Sequence, residues 1–264
     1  MHDLAVLFLH HAADRHTLNN LAVLRHFNPG VPVVPISQFG RTLPGGYDVR
    51  QMARGWRKVL PSFREGGVGG AVRRARLDLP KEWVWRNADL AAYFWALWPK
   101  RPVRARRWVM IEWDMYCNTD LRRFYDSVWE ADLSATFLQT PGKTEFYFFN
   151  DKEFARMPPA LRPHACGMNP WAGVTFSDAA LTAVAEAVRG HAYCNGFCEL
   201  RLGTVARSLG LKAERNGNPD ARHTLHAIRE FGLDEIDRPS LWHKVKRHAT
   251  FTLLPAAVRQ RDAA

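Results

Sequence analysis

Residues Arg106–Arg123, RRWVMIEWDMYCNTDLRR, run an apolar strand, Trp108–Ile111, straight into two acids one residue apart, Glu112 and Asp114. A helix start follows at Asn118 or Thr119 and leads into Leu121–Trp129. Side chains at positions i and i+2 of a strand project to the same face. The spacing therefore predicts that Glu112 and Asp114 aim two carboxylates at one point where the strand ends. Hard oxygen ligands converging in this way suit Mg²⁺ or Mn²⁺ carrying a diphosphate.

Working outward, Leu4–His10 (LAVLFLH) is apolar almost throughout, as expected of a strand buried on both faces. Thr17–Phe27 sets Leu18, Leu21 and Ala22 on one helical face, extended by Leu24 and Phe27, and Asn28-Pro29-Gly30 stops that helix. Val31–Ile36 is the next strand. A strand, helix and strand this close together predict a βαβ unit with parallel pairing and a right-handed crossover. From Phe39 to Pro80 the periodicity fades. Gly66–Gly70 and the arginines Arg73, Arg74 and Arg76 read as a loop rather than a phosphate cradle, because no GxxxxGK[ST] pattern is present. Around Gly142-Lys143-Thr144, Phe137 stands where the first glycine of that pattern belongs.

Further along, an apolar helix capped by Asn87 or Asp89 runs to Trp98, and Ser134–Leu138 and Glu145–Phe149 read as strands. An Ala-rich helix runs from Ser177 to Gly190. Another spans Glu199–Leu209, closed by Gly210, ahead of a short strand at Leu211–Arg215. The pattern predicts one α/β domain, residues 1–250, with a mostly parallel central sheet flanked by helices, and a basic tail at residues 251–264.

The chain has 264 residues, enough for one large α/β domain, with 47% hydrophobic and 24% charged residues. Lys and Arg number 37 against 26 Asp and Glu, a net charge of +11 that favours anionic partners without choosing among them. The apolar run Leu4–Leu9 has neither a basic flank nor a small-residue cleavage site, and no stretch is apolar for the length of a membrane span. The expected location is cytoplasmic, with the four cysteines reduced. Cys194 and Cys198 lack the CxxC spacing of a zinc site. In the tail, Arg259 and Arg261 with Phe251, Leu253 and Leu254 suggest peripheral contact with the inner face of an anionic membrane.

Taken in order, LAVLFLH (4–10), NPGVPVVPIS (28–37), the strand ending in IEWD (111–114), WAGVTFSDAALTAV (171–184), FCELRLGTVARSLG (197–210) and LWHKVK (241–246) resemble a GT-A-type nucleotide-sugar glycosyltransferase. The resemblance spans about residues 4 to 246. It implies that Glu112 and Asp114, an ExD form of the DxD motif, hold a divalent cation on a sugar diphosphate, completed by His243. It implies a nucleotide-sugar donor and an acceptor that is a carbohydrate or lipid-linked. Trp171 and Gly173 match the loop where sugar and acceptor approach the backbone, and Asp89, with Asn87, matches an acid that contacts the nucleoside. Lys244 and Lys246 are placed to neutralise phosphate charge. Glu199, among Phe197, Leu200 and Leu202, is the candidate general base, since burial raises a carboxylate's pKa. The competing reading is a basic nucleic-acid-binding protein using the Arg-rich stretch 64–76, or a non-catalytic scaffold. The sequence has no helix-turn-helix, RRM-type or C₂H₂ pattern, so nucleic acid is not the expected partner.

Overall fold

Leu4 to Leu9 are all 0% exposed, and a segment with no polar face is stable only as a strand covered on both sides. It forms β1, His2–His10. The following helix, α1 (Arg15–Phe27), starts where the Asp14 carboxylate accepts from the Thr17 backbone N–H at 2.9 Å. Past its end the chain turns at Gly30, whose φ of 76° favours glycine, and enters β2, Val33–Ser37, and then β3, Tyr47–Asp48. The buried face of α1 differs from the one its leucines suggest. Leu18 is exposed, whereas His16, Thr17, Asn19 and Asn20 are buried. The first half of α1 therefore turns polar groups inward, toward the carboxyl end of the sheet.

The computed structural model describes residues 1–38, 42–52, 87–141, 152–168, 172–190, 192–193, 196–218, 222–223, 231–243 and 245. The remaining elements, in order, include the helix α2 (Leu90–Ala96), β4 (Ala105–Glu112), β5 (Tyr116–Cys117), β6 (Leu133–Ala135), β7 (Leu138–Gln139), β8 (Gly167–Met168) and β9 (Ala172–Ser177). The helices α3 (Asp178–Arg189) and α4 (Cys198–Ser208) follow, then β10 (Ala213–Arg215), β11 (Arg222–His223) and β12 (Leu241–His243). The central sheet has seven strands in the order β10-β6-β9-β4-β1-β2-β3. Four of its six pairings are parallel, and only those of β9 with β4 and with β6 are antiparallel. The α/β class and mostly parallel sheet agree with the expectation. The antiparallel β9 is new, since the sequence reading places Trp171 and Gly173 in a loop.

Alternation along β1 and β4 separates two layers. Ala5, Leu7, Leu9, Trp108 and Met110 meet α2, α3 and α4, while Leu4, Val6, Phe8, Val109 and Ile111 meet Leu21 and Leu24 of α1. Each such Leu or Phe contributes about 1.5–3 kcal/mol when taken out of water. At the lower edge, Asp178 in the first turn of α3 accepts two hydrogen bonds from Arg101, at 2.8 and 2.9 Å, and one from Trp108 Nε1 at 2.8 Å. Ser177 caps that helix by accepting from the Ala180 N–H.

A small second sheet, β11-β12-β5, continues from the end of β4. Asn118, expected to cap a helix, instead holds this sheet together. Its Oδ1 accepts from the Ser240 N–H at 2.8 Å, its Nδ2 donates to Arg238 O at 3.1 Å, and its own N–H donates to Ser240 O at 3.2 Å. The cap of the next helical turn is Asp120, and that turn is short: Leu121–Phe124 is α-helical and Asp126–Val128 is 3₁₀. Likewise Ser134–Leu138 is not one strand but the end of β6 and the start of β7. The expected strand Glu145–Phe149, the Gly-rich stretch 66–70, the arginines 73–76, the Gly142–Thr144 segment and the tail 251–264 lie outside the described residues. Among the described residues no helix is long and apolar enough to cross a membrane.

Candidate metal centre and active site

β4 ends at Glu112 and the chain turns at once through Trp113 and Asp114, closed by the Met115 N–H donating to Glu112 O at 3.1 Å. Glu112 shares the strand parity of Trp108 and Met110, which places it on the face covered by α4. Asp114 is past the strand. The two acids therefore converge because a tight turn brings the second back beside the first, and not through the strand alternation expected for them. Parallel strands β1 and β4 both end here, the usual place for a ligand crevice in an open α/β sheet.

The third member arrives from the far end of the chain. In β12, Leu241 pairs with Cys117 and Trp242 with Tyr116, antiparallel to β5, so His243 falls beside the turn that precedes β5. The Val245 N–H donates to Asp114 O at 3.1 Å and fixes that register. His243 Nε2 lies 3.8 Å from Asp114 Oδ1, and one ligand atom from each of Glu112, Asp114 and His243 falls within 4.8 Å of the others. Asp114 is only 5% exposed, yet its Oδ1 has no hydrogen-bond partner among the described residues. A buried carboxyl oxygen without a donor is costly, and a cation among these three groups would satisfy it. Two carboxylates and an imidazole suit Mn²⁺ somewhat better than Mg²⁺, which prefers oxygen alone. The residues present fit the expected ion.

Glu199 sits in the first turn of α4, on the layer that Glu112 faces. Burial pushes its carboxyl up from the ordinary 4.5 to about 8. Next to it, burial raises the Cys198 thiol, with Asp89, Glu199 and Glu112 adding to the effect. Arg201, 0% exposed, anchors this turn. Its Nε donates to Asp89 Oδ2 at 2.8 Å and its Nη2 to Asp89 Oδ1, while Nη1 donates to Gly196 O at 2.7 Å and to Asn87 Oδ1 at 3.3 Å. Burial works against the guanidinium charge, and the Asp89 carboxylate more than offsets it, holding the pKa above its ordinary value.

The other expected site residues are placed differently. Asp89 is 0% exposed, both of its oxygens accept from Arg201, and its side chain does not cap α2. Gly173 lies within β9 at φ 80°, and the space where a β-carbon would stand is filled by Tyr125 Oη and Leu241 Cδ1. Its glycine identity thus has a packing reason. Tyr125 also donates to Gly173 O at 2.6 Å. Trp171, Lys244, Lys246 and Cys194 lie outside the described residues.

Residues not singled out in the sequence surround the acid turn. Asn20 of α1 donates to Trp113 O at 2.8 Å. The Trp113 ring meets the edges of His11 and His16, with centroids 4.5 and 5.5 Å apart. His10, at the end of β1, is fully buried, and burial lowers its pKa. The available signal was compositional: histidines and adjacent asparagines in the one helix expected to present leucines inward.

No family model and no curated protein sequence matches the chain. Among solved structures, the apo form of mouse xyloside xylosyltransferase 1 is similar at 12% identity and a TM-score of 0.46, over 93% of this chain and 95% of that one. The galactosyltransferase LgtC, with donor and acceptor sugar analogues, is similar at 9% identity and a TM-score of 0.44, over 98% and 94%. An active-site mutant of LgtC gives 9% and 0.45 over the same shares. Likeness this distant assigns no chemistry to the chain.

Proposed function

We propose that the protein is a metal-dependent glycosyltransferase that moves a sugar from a nucleoside-diphosphate sugar to an acceptor hydroxyl. The observation that carries this reading is the meeting of Glu112, Asp114 and His243 at the carboxyl end of the central parallel strands, with a buried, unsatisfied Asp114 oxygen among them. These three residues would hold Mn²⁺ or Mg²⁺. When bound, such a cation offsets the charge of a diphosphate leaving group. The chain's own residues do the rest. Glu199, whose raised pKa suits proton transfer near neutrality, takes the proton of the acceptor hydroxyl as the acceptor oxygen bonds to the anomeric carbon. The bond from that carbon to the diphosphate breaks, and its electron pair leaves with the phosphate. The Asp89–Arg201 pair keeps the first turn of α4, and so Glu199, in place. Lys246 is assigned to the phosphates, and Trp171 with the Gly173 strand to the sugar side, on the resemblance alone.

The test is a thermal-shift panel of sugar nucleotides with and without Mn²⁺, on wild type and on Asp114→Ala. Stabilisation of wild type that needs both sugar nucleotide and metal, and its loss in Asp114→Ala, is the expected result. Equal stabilisation of the variant would overturn the reading.

A further inference from the structure

The three backbone carbonyls of the Glu112-Trp113-Asp114 triplet are each held by a different part of the chain. Glu112 O accepts from the Met115 N–H of the turn itself at 3.1 Å, and Asp114 O accepts from the Val245 N–H, also at 3.1 Å. Trp113 O accepts from Asn20 Nδ2, 2.8 Å away and 93 residues earlier in the sequence. Only this middle tether comes from a side chain.

We propose that Asn20 is a positioning residue of the metal centre: by holding the carbonyl between the two acids, it sets the turn at which Glu112 and Asp114 converge. The proposal rests on reading Glu112, Asp114 and His243 as metal ligands.

Asn20 is suited to this task. It is 0% exposed in the middle of α1, a helix packed under the sheet, so its amide is carried on a rigid support. The second hydrogen of the same amide faces His16 Nε2 at 3.2 Å, which fixes the orientation of the group. His16 in turn meets the edge of the Trp113 ring, as His11 does, so the peptide and the side chain of Trp113 are gripped from the same helix and the loop before it. A turn left without this grip keeps its acids but not their spacing. Groups that orient the ligands of a metal set its affinity, and their removal commonly weakens binding by about ten- to a hundredfold. Asn19, beside it on the same helix and equally buried, has a side chain with no hydrogen-bond partner among the described residues and supplies an internal control.

The experiment is calorimetric titration of the metal-free full chain with Mn²⁺ for wild type, Asn20→Leu, Asn20→Ala, Asn19→Ala and Asp114→Ala, with near-ultraviolet circular dichroism to verify folding. The expected result is Mn²⁺ binding about tenfold or more weaker in the folded Asn20 variants, unchanged in Asn19→Ala, and lost in Asp114→Ala. Folded Asn20 variants with wild-type affinity would overturn the proposal while leaving the metal reading intact. Loss of fold in both Asn20 variants would assign the residue a purely structural role, which overturns it as well. Wild type that takes up no Mn²⁺, or an Asp114→Ala that takes it up unchanged, removes the metal reading and this proposal together.

Discussion

A buried carboxyl oxygen with no donor, such as Asp114 Oδ1, is retained against its cost to folding. Removing it should therefore separate stability from chemistry. Asp114→Ala is expected to melt at or above the wild-type temperature while metal-dependent turnover falls about a hundredfold or more, as expected when charge stabilisation at a leaving group is lost. Melting curves alongside a sugar-transfer assay check both halves. Glu199 makes the complementary case. Its folded pKa of about 8 lies above the ordinary 4.5, so between those values the folded protein holds a proton that the unfolded chain releases. The stability that follows is fully present below pH 4.5 and is lost as pH rises through 8. Wild type should lose melting temperature across that window relative to Glu199→Gln, while its transfer rate climbs as the carboxylate forms and that of Glu199→Gln stays low. Both acids stood out in the sequence by their place at the end of an apolar strand and in the first turn of a helix. Asn20 did not, because nothing local marks an asparagine whose partner is 93 residues away.

At the scale of elements, α4 is held at its start by a fully buried ion pair. Cutting one partner from such a pair leaves the other charge stranded, at a cost of about 3–5 kcal/mol. Asp89→Ala and Arg201→Met should each lower the unfolding free energy measured by denaturant titration by that order, and the double variant Asp89→Leu with Arg201→Met should recover most of it. β9 offers a second element-level test. A β-carbon at Gly173 would stand 2.4 Å from Tyr125 Oη and 2.7 Å from Leu241 Cδ1, and Leu241 begins the strand that carries His243. Gly173→Ala should therefore destabilise the fold and also weaken Mn²⁺ binding, read by calorimetry on the folded fraction. These elements differ in how far the sequence declares them. β1, α1 and β2 follow from an unbroken apolar run, a helical spacing of apolar residues and a breaker, all local. β9 hides because glycine at position 173 reads as a turn, although Val174 and Phe176 alternate inward behind it. β12 has only three residues and no period of its own; its place depends on Asn118 and on pairing with β5.

For the molecule as a whole, the central sheet and the small sheet meet at the acid turn, so a ligand there contacts both. Mn²⁺ at a hundred times its dissociation constant should stabilise the protein by about 2.7 kcal/mol, a rise in melting temperature on the order of 5 °C for a chain of this size. That rise should vanish in His243→Ala if the small sheet supplies a ligand. A mostly parallel sheet flanked by helices was readable from the sequence because apolar runs, helical patterns and breakers are local signals. The junction was not readable in the same way, since it is built from single long-range hydrogen bonds.

The lateness of β12 has a consequence for the chain during its synthesis. All seven strands of the central sheet, through β10 at Ala213–Arg215, precede Leu241–His243 in the sequence. A ribosome can thus release all the strands of the central sheet from its exit tunnel before His243, the proposed third ligand, has followed. A nascent or prematurely terminated chain lacking β12 would have the strands of the central sheet and both acids, but not the histidine. On the proposed reading, competence for metal would come only once β12 has been made, so a product that stops short of it carries the frame of the site without its proposed third ligand.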